Sequence, residues 1–462
     1  MTFNQGQFFI HKKLDLVPKI KTETANEWFE RLPGSIGIGN VRYTTSGKCD
    51  DASIIHGTQP AIGTTDKVKL AISFNGNIIS TEELREEMRN NFKDFVYNCD
   101  SDIVCYKLLL GFKQGKDLVG AVRSVMESLE GAFSVIGILE DGTFFAFKDP
   151  HGIKPLCAGH SSDRQSLAFS SETVSLDMNS FEHDFELCPG ELVIATKEGF
   201  IRQQIIENPK HAFCAFEYAY FARPDSCFNS KYVYEIREKF GKNIVYENLD
   251  IVNECDMVMS VPETGDDPAM GVHEASKLRW ERASRRHRYV TERAFISSDN
   301  ERFSTIDKKI NILGPKVAGK NIIICDDSIV RGDTTKVIID KLRKSGAKKV
   351  FVFSTFPKVI GPCFYGIDMS TYKELVGARN NSEEIAKIIG ADGVCYQSID
   401  KLVEAIGQPC EQLCLACVTG KYPTPLAQKM ADENKEKFLK GYEETKRIYE
   451  TEENIDQGKN TN

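Results

Sequence analysis

The stretch IIICDDSIVRGDTT, from Ile322 to Thr335, is the most informative in the chain. Ile322, Ile323 and Ile324 read as a strand buried on both faces, because an apolar run without alternation leaves no side for water. Asp326 and Asp327 fall where the carboxyl end of that strand meets the next loop, the ligand edge of an open α/β sheet. Ser328 to Thr335 form a short polar loop that opens a helix. The free backbone N–H groups of such a loop, with the helix N-terminus, make an anion site. Two adjacent carboxylates there can grip two ribose hydroxyls or help to hold Mg2+, while the loop cradles a phosphate on the same sugar. A plainer reading makes the segment a core strand with Asp333 as a helix N-cap, but it leaves both acids and Arg331 without a purpose. A nucleotide-hydrolysing P-loop fold also ends a strand on acids. It needs G-x-x-x-x-G-K-[ST], which the chain does not contain.

The flanking sequence agrees with a parallel sheet. After about residue 250, apolar runs alternate with helices: Met257–Val261 (MVMSV), a helix through Glu274–Leu278, Ile322–Cys325, a helix from Thr334 to Ser345, and Val350–Ser354 (VFVFS). The first half has a different texture. Short strands are expected at Val68–Phe74 (VKLAISF), Ala132–Leu139 (AFSVIGIL), Thr143–Phe147 and Leu192–Thr196. An amphipathic helix follows Asp102, with Ile103, Val104, Leu108 and Leu109 on one face. Such a mixture indicates a layered α+β domain. From Leu426 the chain is charged and helix-compatible, and it ends in the polar tail GKNTN. The expected division is 1–210, 211–425 and a C-terminal helix and tail over 426–462.

The chain has 462 residues, enough for two to four domains, with 41% hydrophobic and 27% charged residues. That composition excludes a disordered, collagenous or small disulfide-stapled protein. The formal charge of −8 gives no global electrostatic reason to bind nucleic acid or an anionic membrane. No run of 18 apolar residues suggests a membrane span, and MTFNQGQFFIHKK lacks the layout of a signal peptide. A cytosolic location is expected. The chain holds 14 cysteines, scattered except for Cys410, Cys414 and Cys417. In a reducing compartment this group points to metal or iron–sulfur ligation. Gly34, Gly37 and Gly39 give G-x-x-G-x-G, which is not the dinucleotide-binding pattern.

The motif at 322–335 resembles the phosphoribosyl-pyrophosphate loop of type I phosphoribosyltransferases, and the whole chain resembles the glutamine phosphoribosylpyrophosphate amidotransferase family. FEYAYFARPDS (Phe216–Ser226), VPET (Val261–Thr264), PCFYGIDMST (Pro362–Thr371), CLACVTGKYPT (Cys414–Thr424), GIGNVRYTTSG (Gly37–Gly47), FNGNI (Phe74–Ile78) and DPHGIKPL (Asp149–Leu156) all look like that family and occur in its order. The resemblance implies an α+β glutaminase domain of the N-terminal-nucleophile type, followed by an α/β phosphoribosyltransferase domain with a parallel sheet. The implied reaction joins ammonia to C1 of phosphoribosyl pyrophosphate, giving 5-phosphoribosylamine and pyrophosphate at the start of purine synthesis. By the match, Asp326 and Asp327 hold the ribose diol and the Mg2+ shell. Thr264 lies near the metal, and Ser328, Arg331, Gly332, Asp333, Thr334 and Thr335 surround the 5-phosphate. A basic segment in the family closes over the pyrophosphate. Here Arg288, Tyr289, Arg293 and Lys309 carry that role over, in a stretch that departs from the family by one extra residue before Arg293 and by Asp307 at a usually basic position.

In the first half, the resemblance gives Arg42 to the glutamine carboxylate. It gives Asn75 and Gly76 to the oxyanion hole, and Asp100 to the α-amino group. The family's nucleophile is a cysteine at the very N-terminus of the mature chain. The first cysteine here is Cys49, while MTFNQGQFF resembles a segment inside the domain, and TFNQGQFF does not look like a nucleophile strand led by Thr2. A chain incomplete at its N-terminus is therefore expected, with an ammonia-only synthase as the alternative. A regulator that binds phosphoribosyl pyrophosphate without turnover is the reading from another class. Cluster-bearing members have one cysteine before FEY, one in PCFYG and two in CLAC. Cys214, Cys363, Cys414 and Cys417 occupy those contexts, which implies a [4Fe–4S] cluster, with zinc on four cysteines as the competing filling. Cys227 and Cys410 stand nearby without an assigned role. A homo-oligomer is expected, acting on phosphoribosyl pyrophosphate with glutamine or ammonia.

Overall fold

A computed structural model describes residues 1–14, 27, 30–42, 55, 57–79, 81–287 and 308–442. Its first half is built on a six-stranded antiparallel sheet. The strands are β1 (Ala61–Thr64), β2 (Lys69–Ile78), β3 (Gly131–Leu139), β4 (Phe144–Lys148), β5 (Glu191–Thr196) and β6 (Gly199–Gln204), in the order β6-β5-β4-β3-β2-β1. β2 and β3 pair along their whole length, from Leu70 opposite Leu139 to Ile78 opposite Gly131. Alternation sorts the side chains. Leu70, Ile72, Phe74, Phe145 and Phe147 bury against helices α1 (Glu82–Asn91), α2 (Asp100–Lys113) and α3 (Leu118–Ser128). Ala146 and Val193 face the other way and pack with Phe144, Phe169 and Phe185. Phe169 and Phe185 come from a second, three-stranded sheet (Cys157–Ser161, Leu167–Ser170, Phe181–Glu186). The result is a helix–sheet–sheet stack, as an α+β layer reading requires.

The expected helix after Asp102 begins two residues earlier, at Asp100. Asp102 is its third residue, and its carboxylate accepts from the Asn98 N–H at 2.7 Å and the Cys99 N–H at 3.1 Å. The acid that looked like a start signal is the reaching-back half of a capping box.

The second half carries a five-stranded parallel sheet. Its strands are β7 (Met257–Ser260), β8 (Arg279–Trp280), β9 (Asn321–Asp326), β10 (Lys349–Ser354) and β11 (Gly393–Tyr396), in the order β8-β7-β9-β10-β11. Helices α4 (Val233–Tyr246) and α5 (Asp266–Ser276) cover one face, and α6 (Asp333–Lys344) and α7 (Ser382–Ile389) cover the other. Ile322 and Ile324 pack with Ile338, Leu342 and Ile385, whereas Ile323 and Cys325 pack with Ile244, Ala269 and Val272. Both sides of β9 are thus dry, which explains its uninterrupted apolar sequence.

One helix differs from its sequence expectation. Instead of running through Glu274–Leu278, α5 spans Asp266–Ser276, and Lys277 closes it in the left-handed region at φ 62°. Pro268 looks like a breaker, yet it sits in the first turn, where its missing N–H is not needed.

The two halves share a core. Ile79, Ala132 and Ile153 from the first pack in one cluster with Cys214, Phe216, Phe364 and Leu415 from the second. Helix α8 (Pro425–Leu439) buries Ala427, Ala431 and Phe438 in the same cluster. Its start is held to the first half by the Leu426 N–H, which donates to Glu130 at 2.9 Å. Among the described residues, no helix is long and apolar enough to cross a membrane.

Candidate active site

The chain passes from β7 to the outer strand β8 and then returns to β9 on the other side of β7, so the order of strands reverses between β7 and β9. Ligands of open α/β sheets bind at the carboxyl ends of strands flanking such a point. The predicted residues converge there. Thr264, just beyond β7, donates its hydroxyl to Asp327 Oδ1 at 2.6 Å across the reversal. Ser328 donates to Asp327 Oδ2 at 2.9 Å, and Thr335 to Asp326 Oδ2 at 3.0 Å. Both carboxyl groups are only 5% exposed. Burial holds Asp326 well above the usual carboxylate range, and the neighbouring Asp327 adds to this. Asp327 is also raised by burial, opposed by the hydroxyls of Thr264 and Ser328 and by the charge of Arg237. Two acids held side by side in this way call for a cation or a diol.

Arg237 was not legible in the sequence. It lies fully buried on α4 and donates to the carbonyls of Tyr218 (2.8 Å) and Ala222 (2.7 Å), forming a fixed positive charge behind the acids. Arg331, expected at the phosphate, gives its guanidinium to Glu374. Gly332 is the N-cap of α6 at φ +85°, and Asp333 is the first helical residue rather than the cap. Asp333 and Thr334 occupy the first turn of α6. There an acid favours the helix dipole and the free N–H groups face outward from the helix end.

The basic segment enters and leaves through a two-stranded ribbon, Ser284–Arg286 paired with Ile310–Ile312. Ser284 ties this ribbon to β7 by donating to the Ser260 carbonyl at 2.8 Å. Lys309 stands at the last rung, where its carbonyl accepts from His287 N–H at 2.7 Å. Arg288, Tyr289 and Arg293 lie outside the described residues.

In the first half, Arg42, Asn75, Gly76 and Asp100 line one cavity of about 630 Å3. Asp100 accepts from the Ile78 N–H and the Tyr97 hydroxyl, each at 2.9 Å, and burial raises its pKa. Gly76 has no room for a side chain: a Cβ would lie 1.8 Å from the Ala132 carbonyl oxygen. Gln59 clasps the adjacent backbone, accepting from Phe74 N–H at 2.6 Å and donating to its carbonyl at 2.9 Å. The sequence gave no sign of this clasp. Cys99 also borders the cavity, but burial pushes its thiol up to about 11, so it stays protonated at neutral pH.

The four expected cysteines also gather. Phe213–Cys214 pairs in parallel with Leu413–Cys414, placing Cys214 opposite Cys414. Cys363 and Cys417 are buried within the same core and within electrostatic reach of that pair. The Cys363 sulfur accepts from the Tyr365 N–H at 3.3 Å. Burial raises all four thiols, Cys214 to about 12. Among the described residues, no three His, Cys, Asp or Glu side chains close on a single ion. Cys410 is exposed and Cys227 half-buried.

An antiparallel glutaminase-type layer with a cavity lined by Arg42, Asn75, Gly76 and Asp100, joined to a parallel sheet with acids at its reversal point, defines a glutamine amidotransferase coupled to a phosphoribosyltransferase-type domain. Residues 49–178 match the family model of a glutamine amidotransferase domain. The amidophosphoribosyltransferase of Methanothermobacter thermautotrophicus is 35% identical over 93% of this chain and 88% of its own length. That of Synechococcus elongatus is 33% identical over 93% of this chain and 85% of its own. The solved glutamine phosphoribosylpyrophosphate amidotransferase of Bacillus subtilis, complexed with ADP and GMP, superposes with a TM-score of 0.75 at 31% identity, covering 84% of this chain and 83% of that one. The chain belongs to the amidophosphoribosyltransferase family.

Proposed function

We infer that the chain makes 5-phosphoribosylamine from phosphoribosyl pyrophosphate and ammonia drawn from glutamine, the reaction that opens purine synthesis. The observation that carries this reading is the Thr264–Asp327–Asp326–Thr335 constellation across the β7/β9 reversal. Asp326 and Asp327 accept the ribose hydroxyls and fix the sugar, while the backbone N–H groups from Arg331 to Thr335 hold its 5-phosphate. C1 is then presented to ammonia as its bond to pyrophosphate breaks. Lys309, Arg288 and Tyr289 stabilise the charge that grows on the leaving group. Asp326, Asp327 and Thr264 would hold Mg2+, which when bound would supply further positive charge to the leaving group. At the other end, Arg42 pairs with the glutamine carboxylate and Asp100 with its ammonium. Asn75 and the Gly76 N–H are the donors to the amide carbonyl oxygen, which takes up an electron pair when the thiolate of the family's N-terminal cysteine adds to the amide carbon.

Cys214, Cys363, Cys414 and Cys417 fit a [4Fe–4S] cluster. They are four buried thiols, with Cys214 opposite Cys414 and with Cys363 and Cys417 in the same core, and four thiolates suit such a cluster. The cluster's place is structural, since the cysteine spacing is not that of an electron-transfer ferredoxin. The protein is read as a cytosolic homo-oligomer.

The test is pyrophosphate and phosphoribosylamine formation from phosphoribosyl pyrophosphate, Mg2+ and ammonium at alkaline pH. Turnover supports the enzyme reading. Tight binding of the sugar without turnover overturns it in favour of a regulator. Iron and acid-labile sulfide assayed on anaerobically purified protein test the cluster, with zinc as the overturning result.

A further inference from the structure

The cysteine site and the glutamine cavity are neighbours, and a buried ion pair lies between them. Lys154 Nζ is 3.1 Å from Glu217 Oε1, and both side chains are buried. Both also line the glutamine cavity. Lys154 comes from the first half, in GIKPL. Glu217 comes from the second, three residues past Cys214 and at the start of the turn Glu217–Phe221. The Cys214 N–H donates to the Ile153 carbonyl at 3.2 Å, so the backbones on either side of the ion pair are joined as well. The Lys154 ammonium is within electrostatic reach of the Cys214 and Cys363 thiols, and it lies 5.2 Å from the centre of the Phe221 ring, another cavity wall.

The segment after Cys363 closes the connection from the other side. The Phe364 carbonyl accepts from Asn77 Nδ2 at 3.0 Å. A Cβ on Gly366 would lie 3.4 Å from the Gly76 carbonyl carbon and 3.5 Å from Lys154 Cε.

We propose that the Lys154–Glu217 ion pair is a positioning element shared by the two sites, through which the cysteine site sets the shape of the glutamine cavity. A buried ion pair rarely adds net stability over an apolar pair of similar volume. Its retention here follows from its place, since both partners line the cavity and both adjoin the thiols, Lys154 through its charge and Glu217 through the short chain to Cys214. Among the described residues, the ion-pair and ring partners of Lys154 are Glu217 and Phe221, neither of them a residue assigned to the phosphoribosyl site. The inference rests on the glutamine and cluster readings given above.

The experiment compares wild type, Lys154→Arg, and the double variant Lys154→Met with Glu217→Gln, which leaves no unpaired buried charge. Three quantities are read on anaerobically purified full chain: glutamine affinity by equilibrium dialysis, the half-life of the cluster's visible absorbance in air, and ammonia-driven synthesis. The double variant is expected to bind glutamine about tenfold more weakly and to lose its cluster faster, while ammonia-driven synthesis is retained. Lys154→Arg is expected to restore both properties. Unchanged glutamine affinity in the double variant overturns the proposal. So does a parallel fall in ammonia-driven synthesis, which marks general damage. If wild type binds no glutamine, the cavity reading fails. If it holds no iron and sulfide, the cluster reading fails. Either result is distinct from a failure confined to the variants.

Discussion

Asp327 has four interactions, each with a different consequence for the site. Thr264 and Ser328 aim its two oxygens, Arg237 offsets its charge, and a side-chain hydrogen bond with Asp326 favours its ionised form. Asp327→Asn keeps the shape but halves the charge available to Mg2+ and the diol. Ammonia-driven kcat is expected to drop about 10²–10³-fold, with the fold intact by circular dichroism. Thr264→Val removes one aiming hydroxyl and should fall in the same direction by less.

Asp100 gives a pH signature. Burial raises its pKa in the folded state, so the ionised form that pairs with the glutamine ammonium appears only above that raised value. Glutamine affinity should therefore strengthen as pH rises through it, and weaken on acidification at a higher pH than an ordinary carboxylate near 3.9 would give. The folding linkage has the opposite sign. The folded state binds this proton more tightly than the unfolded chain does, so the stability contribution is full at low pH and lost as pH climbs through the same window. Isothermal titration of glutamine against pH, with Asp100→Asn as the flat control, checks the first statement.

At the scale of elements, β9 and the start of α6 were readable because their signals are contiguous: an apolar run, two acids, a small loop and a helix start. Gly332 concentrates this local logic. At φ +85°, with a would-be Cβ 3.0 Å from Ile389 Cγ2, it admits no side chain without strain. Gly332→Ala should cost about 1–2 kcal/mol in denaturant unfolding and raise the KM for phosphoribosyl pyrophosphate, because the loop moves with its cap. The start of α2 was misread by two residues because the capping acid reaches backward, which spacing alone does not reveal. Gln59, Arg237, Lys154 and Glu217 were invisible for a different reason. Each acts on a partner far along the chain, and a single sequence contains no record of such pairings. The four cysteines were found only through the contexts they share with the family, and their convergence depends on a two-residue parallel pairing that no periodicity announces.

At the scale of the whole molecule, the halves are joined by specific polar contacts as well as by a shared core. Glu172 accepts from Ser226 Oγ at 2.6 Å and from the Arg223 N–H at 2.8 Å, and it lines the glutamine cavity. Glu172→Ala leaves those donors without their acceptor. It should lower stability by about 1–3 kcal/mol, read from the urea midpoint at constant slope. It should also weaken glutamine binding, read by equilibrium dialysis, more than it slows synthesis from free ammonium.

The pairing of Cys214 with Cys414 has a further consequence, for biogenesis. On a chain leaving the ribosome, Cys214 emerges first and Cys363 much later, while Cys414 and Cys417 come only with the segment that leads into the last described helix. The four-thiol nest is therefore among the final features to assemble. Until then Cys214 lacks the parallel partner strand beside which it is buried in the finished fold.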